Sequence, residues 1–212
     1  MQTTFKLFFS CLFCLLLTLV SGCGGGVPSL TPAEQAEVDK YIKEDGRNAI
    51  ANYMDAARKK NETDEKRVLK YIKYLLSQGA EVSAHNDRAL CIAATRGWIE
   101  VVKFLISRGA NVNAKNNGEP PLQHAMHYAT RMEHFEVIKF LVSKGADINA
   151  KCISGYTTLD MVSNSISVLQ SALREARRNG NEAGAKIMEE QVELYTKIAK
   201  YLEGRGAKSS GR

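Results

Sequence analysis

Tyr71-Ile72-Lys73-Tyr74-Leu75-Leu76-Ser77-Gln78-Gly79-Ala80 returns as Val101-Val102-Lys103-Phe104-Leu105-Ile106-Ser107-Arg108-Gly109-Ala110 and again as Val137-Ile138-Lys139-Phe140-Leu141-Val142-Ser143-Lys144-Gly145-Ala146. A weaker echo is Ile198-Ala199-Lys200-Tyr201-Leu202-Glu203-Gly204-Arg205-Gly206-Ala207. Self-similarity at a spacing of roughly 33 residues marks a stacked repeat. In each copy the Val/Ile–aromatic–Leu spacing makes one apolar helical stripe. Gly79, Gly109 and Gly145 then end the helix in the left-handed conformation that Gly adopts without strain. The Ala that follows is small enough to tuck against a neighbouring unit.

Outward from each Gly-Ala lies an arm: Glu81-Val82-Ser83-Ala84, Asn111-Val112-Asn113-Ala114 and Asp147-Ile148-Asn149-Ala150. Val82, Val112 and Ile148 point an apolar side chain inward. Asn113, Asn149, Asn116, Asn117 and Gly118 read as turn chemistry. Each unit is thus two antiparallel helices plus a projecting finger, with apolar faces bare until another unit stacks on it.

These arms resemble the ankyrin repeat, together with Ser154-Gly155-Tyr156-Thr157-Thr158-Leu159-Asp160, Ala93-Ala94-Thr95-Arg96-Gly97 and Ile99-Glu100-Val101-Val102. The resemblance covers 67–162 well and the ends weakly. It implies an all-α solenoid of about four helix pairs with short β-hairpin fingers. The units are degenerate. The turn leucines Leu90, Leu122 and Leu159 follow their preceding Gly by 11, 13 and 14 residues, so the first finger is the shortest. Arg88-Ala89, Pro120-Pro121 and Thr157-Thr158 replace the family's Thr-Pro pair. The finger at 85–89 is therefore the one expected to depart most from the family pattern.

Terminal units must hide one face from water. Thr31-Pro32-Ala33-Glu34 is a capping box with Pro at the first helical position, and starts a helix near residue 32. Gly46 interrupts it. Asn48–Lys59 and Asp64–Gln78 read as helices, with Thr63 as N-cap of the second. Residues 31–66 are a helical cap and the start of a first repeat. At the other end Ile166, Leu169, Leu173 and Ala176 keep helical spacing, Asn179-Gly180-Asn181 breaks it, and Ile187, Leu194, Ile198 and Leu202 resume it. Residues 163–207 thus prolong the last helix pair into a hairpin, over roughly 160–178 and 182–203. It serves either as a cap or as a partner-binding arm. Lys208–Arg212 is expected to be a disordered tail.

Lys6 precedes an apolar run, Leu7–Val20, too short for a membrane span and suited to a signal peptide. Val20-Ser21-Gly22-Cys23 resembles a bacterial lipobox. That resemblance implies removal of residues 1–22, diacylglycerol on Cys23 and an acylated new amino terminus, palmitate being a typical chain. Residues 23–30, with Gly24-Gly25-Gly26, form a flexible tether. The expected place is the cell envelope, on the periplasmic side of the outer membrane. An ordinary secretory signal or uncleaved anchor is the competing reading. Without Lys6 the mature chain holds 28 basic and 23 acidic residues, a mild excess that requires no anionic partner. Export and interspersed Lys and Glu argue against nucleic acid. A basic face resting on anionic lipid is a further option.

Of five cysteines, Cys11 and Cys14 leave with the leader and Cys23 carries lipid. Cys91 and Cys152 fall two stacking boundaries apart, beyond disulfide reach. Cys91 reads as a small core residue. His124 and His127 lie three apart, with His134 beyond the helix joint, but no Glu or third ligand completes a metal motif. No phosphate loop, nucleophile elbow or zinc-peptidase motif occurs. No catalytic residue, cofactor, metal or small-molecule substrate is expected. Trp98 reads as packing at a helix joint.

Ankyrin stacks bind along finger tips and the exposed sides of first helices. Carried over, this resemblance points to His85, Asn86 and Arg88; to Asn116, Asn117, Glu119 and His127; and to Ile153, Ser154 and Tyr156. The expectation is a monomeric, non-catalytic, lipid-anchored module that holds another protein. Alternatives are an immunity or inhibitor protein against a toxin or envelope hydrolase, a structural envelope scaffold, and an accessory to an envelope enzyme or redox defence.

Overall fold

The computed structural model describes residues 27–127 and 129–211. Cys23, the expected leader and most of the tether lie outside the described residues. Helix α1 (Pro32–Asp45) is followed by a 3-10 turn (Gly46–Asn48), then α2 (Ala49–Lys59), α3 (Glu65–Ser77), α4 (Ala84–Arg96) and α5 (Ile99–Ser107). Helices α6 (Pro121–His127), α7 (Met132–Ser143), α8 (Thr158–Arg178) and α9 (Glu182–Glu203) complete it. None of them is long and apolar enough to cross a membrane.

Helices α2, α4, α6 and α8 pack in sequence order as one layer, and α3, α5, α7 and α9 as a second. One apolar cluster runs from Val38 of α1 to Leu202 of α9. Ile72, Leu75, Leu105, Ile138, Leu141 and Ile198 are fully buried in the second layer, and Leu90 and Leu122 in the first. Ile50 and Met54 of α2 do the same for the first unit. Burial at about 25 cal/mol per Å² of apolar surface is therefore shared between units and not contained within any one of them.

The four Gly-Ala copies close their helices alike. Gly79, Gly109, Gly145 and Gly206 have φ of +90°, +93°, +86° and +88°. The amides of Ala80, Ala110, Ala146 and Ala207 donate to the carbonyls of Leu75, Leu105, Leu141 and Leu202 at 3.1, 3.1, 3.0 and 2.9 Å. This is a Schellman closure, which satisfies carbonyls that a helix end leaves open. Gly206-Ala207 is thus a true fourth copy, displaced by the longer helices before it.

The arms are stitched by side chains. Asn113 Nδ2 donates to the Gly145 carbonyl at 3.0 Å, and its Oδ1 accepts from the Asp147 amide at 2.8 Å. Asn149 repeats this with the Gly206 carbonyl (3.3 Å) and the Lys208 amide (2.8 Å). These asparagines clamp one unit to the next, a role beyond the turn chemistry expected of them. Ser83 holds the equivalent place in the short first arm and makes no such bond. Asp87 takes over instead, its Oδ1 accepting from the Asn111 amide at 3.2 Å.

Among the described residues there is no strand; the middle finger is reduced to an isolated bridge between Asn116 and Glu119. Asn117 and Gly118 have φ of +52° and +79°, as a tight Asn-Gly hairpin turn requires. Beyond Glu119 the ladder stops because Pro120 and Pro121 have no N–H to donate. The shortened first finger is a left-handed turn: His85, Asn86 and Asp87 have φ of 53°, 56° and 54° and are absorbed into the start of α4. Asn, Asp and His tolerate that region better than bulkier residues.

At the N-terminus the Thr31–Glu34 capping box forms, and α1 lies against α2 and α3. Tyr53 lies between Tyr41 and Tyr71, edge-on to the first and tilted to the second, with centroids 5.6 Å from each. The N-cap of α3 is Asp64, not Thr63: Asp64 accepts from the Arg67 amide at 3.1 Å. Glu62 Oε1 takes the amides of both Thr63 and Asp64 at 2.9 Å, and so holds the chain one residue further along.

At the C-terminus α8 and α9 form the long hairpin. Leu159 and Val162 of α8 and Leu194, Tyr195, Ile198 and Leu202 of α9 are buried near the stack; towards the tip only Ala176 and Ala185 are. The tail is not disordered through Gly211. Asp160 accepts from Ser209 Oγ at 2.6 Å and from the Ser210 amide at 3.1 Å, and Thr157 Oγ1 donates to the Lys208 carbonyl at 3.0 Å. Burial alone would raise the Asp160 carboxyl, but the bonds from Ser209 Oγ, the Thr157 amide and Ser210 hold it far below its ordinary range. Arg212 lies outside the described residues.

Candidate binding groove

Residues one repeat apart come into contact, and this builds a groove of about 460 Å³ between the first-layer helices and the finger tips. Asp55 of α2 and Arg88 of α4 pair across it, with Nε–Oδ2 at 2.6 Å and Nη2–Oδ1 at 3.0 Å. This two-point geometry fixes the Arg88 fork. Arg58, half exposed, stands 3.6 Å from the same carboxylate. On the far wall His127 Nε2 lies 2.9 Å from Glu119 Oε2. Cys91 and Ile92 of α4 line the floor, and burial pushes the Cys91 thiol up to about 12. It is a packing group there, not a nucleophile.

Arg88, Asn116, Asn117, Glu119 and His127 all line this one groove. Asn116 is buried, and its Nδ2 donates to the His85 carbonyl at 3.0 Å, so it braces two fingers and offers a partner little. His85 and Asn86 are exposed on the left-handed turn beside it. Ile153, Ser154 and Tyr156 form the next finger tip. Ile153 is 82% and Tyr156 48% exposed, placing two large apolar side chains in water on that finger. Ile153 also lies over Gly118: a Cβ there would stand 2.5 Å from Ile153 Cγ1.

Sequence reasoning missed Asp55, Arg58 and Gln123. Asp55 precedes Arg88 by one repeat period, and that offset was the available signal. Gln123 is fully buried and donates from Nε2 to the Ala150 carbonyl at 2.8 Å, fixing the base of the last finger. His124 Nε2 lies 3.3 Å from the Asn116 carbonyl, and burial lowers its pKa. Among the described residues no three His, Cys, Asp or Glu side chains gather as metal ligands would. Trp98 is buried at the α4–α5 joint, so it belongs to the core.

A larger cleft, about 590 Å³, opens at the opposite ends of the helices. Two of its charged side chains are spent on their neighbours. Arg96 donates to Asn61 Oδ1 (2.7 Å) and the Arg58 carbonyl (2.6 Å), and Glu65 caps α5 through the Glu100 amide (2.7 Å). The groove under the fingers keeps Asn117 and His127 exposed along its wall.

No curated protein matches the chain. Two family models do: "Ankyrin repeats (3 copies)" over residues 53–152 and "Ankyrin repeats (many copies)" over 126–181. The second reaches into α8, where the turn motif Tyr156-Thr157-Thr158-Leu159 opens the prolonged pair. With the ordered double layer of helices and the four Gly-Ala closures, these matches show that the chain belongs to the ankyrin-repeat family, whose members generally serve as non-enzymatic protein-interaction modules.

Proposed function

We propose that this protein is a lipid-anchored, non-catalytic binding module of the bacterial cell envelope that holds one other protein in the groove under its fingers. The observation that carries the reading is the groove's lining together with the next finger. Asn117 and His127 line the groove with a fixed Arg88–Asp55 pair, and on the next finger Ile153, which lies over Gly118, and Tyr156 are exposed. Interfaces favour this mix of aromatic, Arg and amide chemistry. The lipobox-like Val20-Ser21-Gly22-Cys23 supports anchoring at Cys23, on the periplasmic side of the outer membrane.

The test uses crosslinking in intact envelopes followed by purification of the tagged protein. Tyr156→Ala with Ile153→Ser is expected to lose the crosslinked partner while retaining the wild-type melting curve. A partner yield unchanged by both substitutions would refute groove binding. Cys23→Ser is expected to abolish incorporation of labelled palmitate, and persisting incorporation would refute the anchor.

A further inference from the structure

The second-layer helices carry a regular pattern of cations that the groove does not use. Lys73, Lys103, Lys139 and Lys200 each stand six residues before a terminal glycine. Arg108, Lys144 and Arg205 each stand one before it. Over those four helix ends seven cations face one carboxylate, Glu203. Lys103 and Lys139 pair with Glu100 and Glu136 at 2.8 and 2.7 Å. Among the described residues no carboxylate pairs with Lys73, Arg108, Lys144, Lys200 or Arg205. Several cations lie instead over half-buried rings: Lys73 and Arg108 over Phe104 (5.5 and 4.8 Å), Lys144 over Phe140 (5.4 Å), Arg205 over Tyr201 (5.3 Å). The rings raise the cations into one repeating row across all four units. Of the acids on the adjoining arms, Glu81 pairs with Arg47 at 3.3 Å, while Asp147 accepts the Asn149 amide at 2.9 Å and keeps its charge.

We infer that this outer face rests on an anionic bilayer, with headgroup phosphates meeting the cation row. Charge complementarity is the first reason: a surface potential of lipid sign attracts clustered Lys and Arg within a Debye length. The second is where the chain enters the fold. Glu34, in the first turn of α1, accepts from Lys70 Nζ at 2.9 Å, one turn before Lys73. The amino-terminal segment therefore arrives on the second-layer side. Eight residues from Cys23 to Thr31 span at most about 29 Å, so an anchor there keeps this side close to the membrane. That second argument rests on the proposed anchor; the first does not. A cation in the last turn also complements the helix dipole, but that accounts for one charge per helix and not for the lysine a turn and more earlier.

The probe is a 24–212 fragment without lipid. Its fold is self-contained in the described core, and a cooperative thermal melt verifies this. Sedimentation with vesicles of phosphatidylcholine alone, or with about 30% phosphatidylglycerol, reads the binding. The fragment is expected to sediment with the anionic vesicles only, and less as salt rises. Arg108→Ser, Lys144→Ser and Arg205→Ser together should weaken binding at least about tenfold with little change in melting. The finger substitutions His85→Ser and Lys151→Ser should leave it unchanged. Equal sedimentation with both vesicle types overturns the inference, as does an equal loss in the finger variant. Palmitate labelling at Cys23 is scored separately, so a failed anchor and a failed face give different results.

Discussion

Asn113→Ala removes two hydrogen bonds that cross a repeat boundary and leaves the apolar core intact. Asn113 Nδ2 reaches the Gly145 carbonyl at 3.0 Å and its Oδ1 receives the Asp147 amide at 2.8 Å. Each such bond contributes about 0.5–1.5 kcal/mol net, because water competes for the same groups. The site is exposed, so water partly rescues the stranded carbonyl and amide. The expected loss is therefore about 1–2 kcal/mol. For a chain of this size that lowers Tm by roughly 2–8 °C. Urea unfolding with an unchanged slope is the primary assay, since only the midpoint should move. Lys115→Ala, on the same finger and exposed, is the control. If Asn113→Ala and Lys115→Ala unfold at the same urea concentration, the clamp adds nothing and the coupling between units is apolar alone. A split transition would be equally informative: it would show that the clamp keeps neighbouring units cooperative.

Two glycines should respond with opposite signs. Gly109 has φ +93° with open space where a Cβ would stand, so Gly109→Ala is destabilised by backbone strain alone, about 1–2 kcal/mol by urea midpoint. Gly46 has φ −53° with only Ile42 Cγ2, at 3.9 Å, near its missing Cβ, so Gly46→Ala should stabilise by about 0.4–1 kcal/mol. Acid should weaken the fold through His134, whose pKa burial lowers from 6.5 while Nε2 lies 3.1 Å from the Thr95 carbonyl. Above pH 6.5 folded and unfolded chains both hold the ring neutral. As pH falls from 6.5 through the lowered folded value, the unfolded chain binds the proton first and stability drops. Urea midpoints between pH 7.5 and 5 (roughly the histidine window) should fall for the wild type and less for His134→Gln. An identical pH dependence in the two proteins would remove His134 from the account.

The sequence by itself determined the repeat. Apolar stripes before each Gly-Ala can be buried only by an identical neighbour, and the Gly must adopt positive φ, so helix pairs stacked in chain order follow from one period. It also determined the long terminal hairpin, because helical spacing on both sides of Asn179-Gly180-Asn181 is a local property. The candidate binding groove was legible only as a set of aligned positions. That Arg88 meets Asp55, that Asn116 turns inward to His85, and that Ile153 lies over Gly118 are facts of one unit resting on the next. The same holds for Asn113 and Asn149: locally they look like turn residues, and only the stacked arm beyond shows them to be clamps. The shortened finger and the tail carry the same lesson. Three left-handed residues at His85–Asp87 and the docking of Ser209 and Ser210 on Asp160 both trade unfavourable local geometry or chain freedom for hydrogen bonds to distant partners. Local propensity cannot register a partner many residues away; only the packed chain brings it within reach.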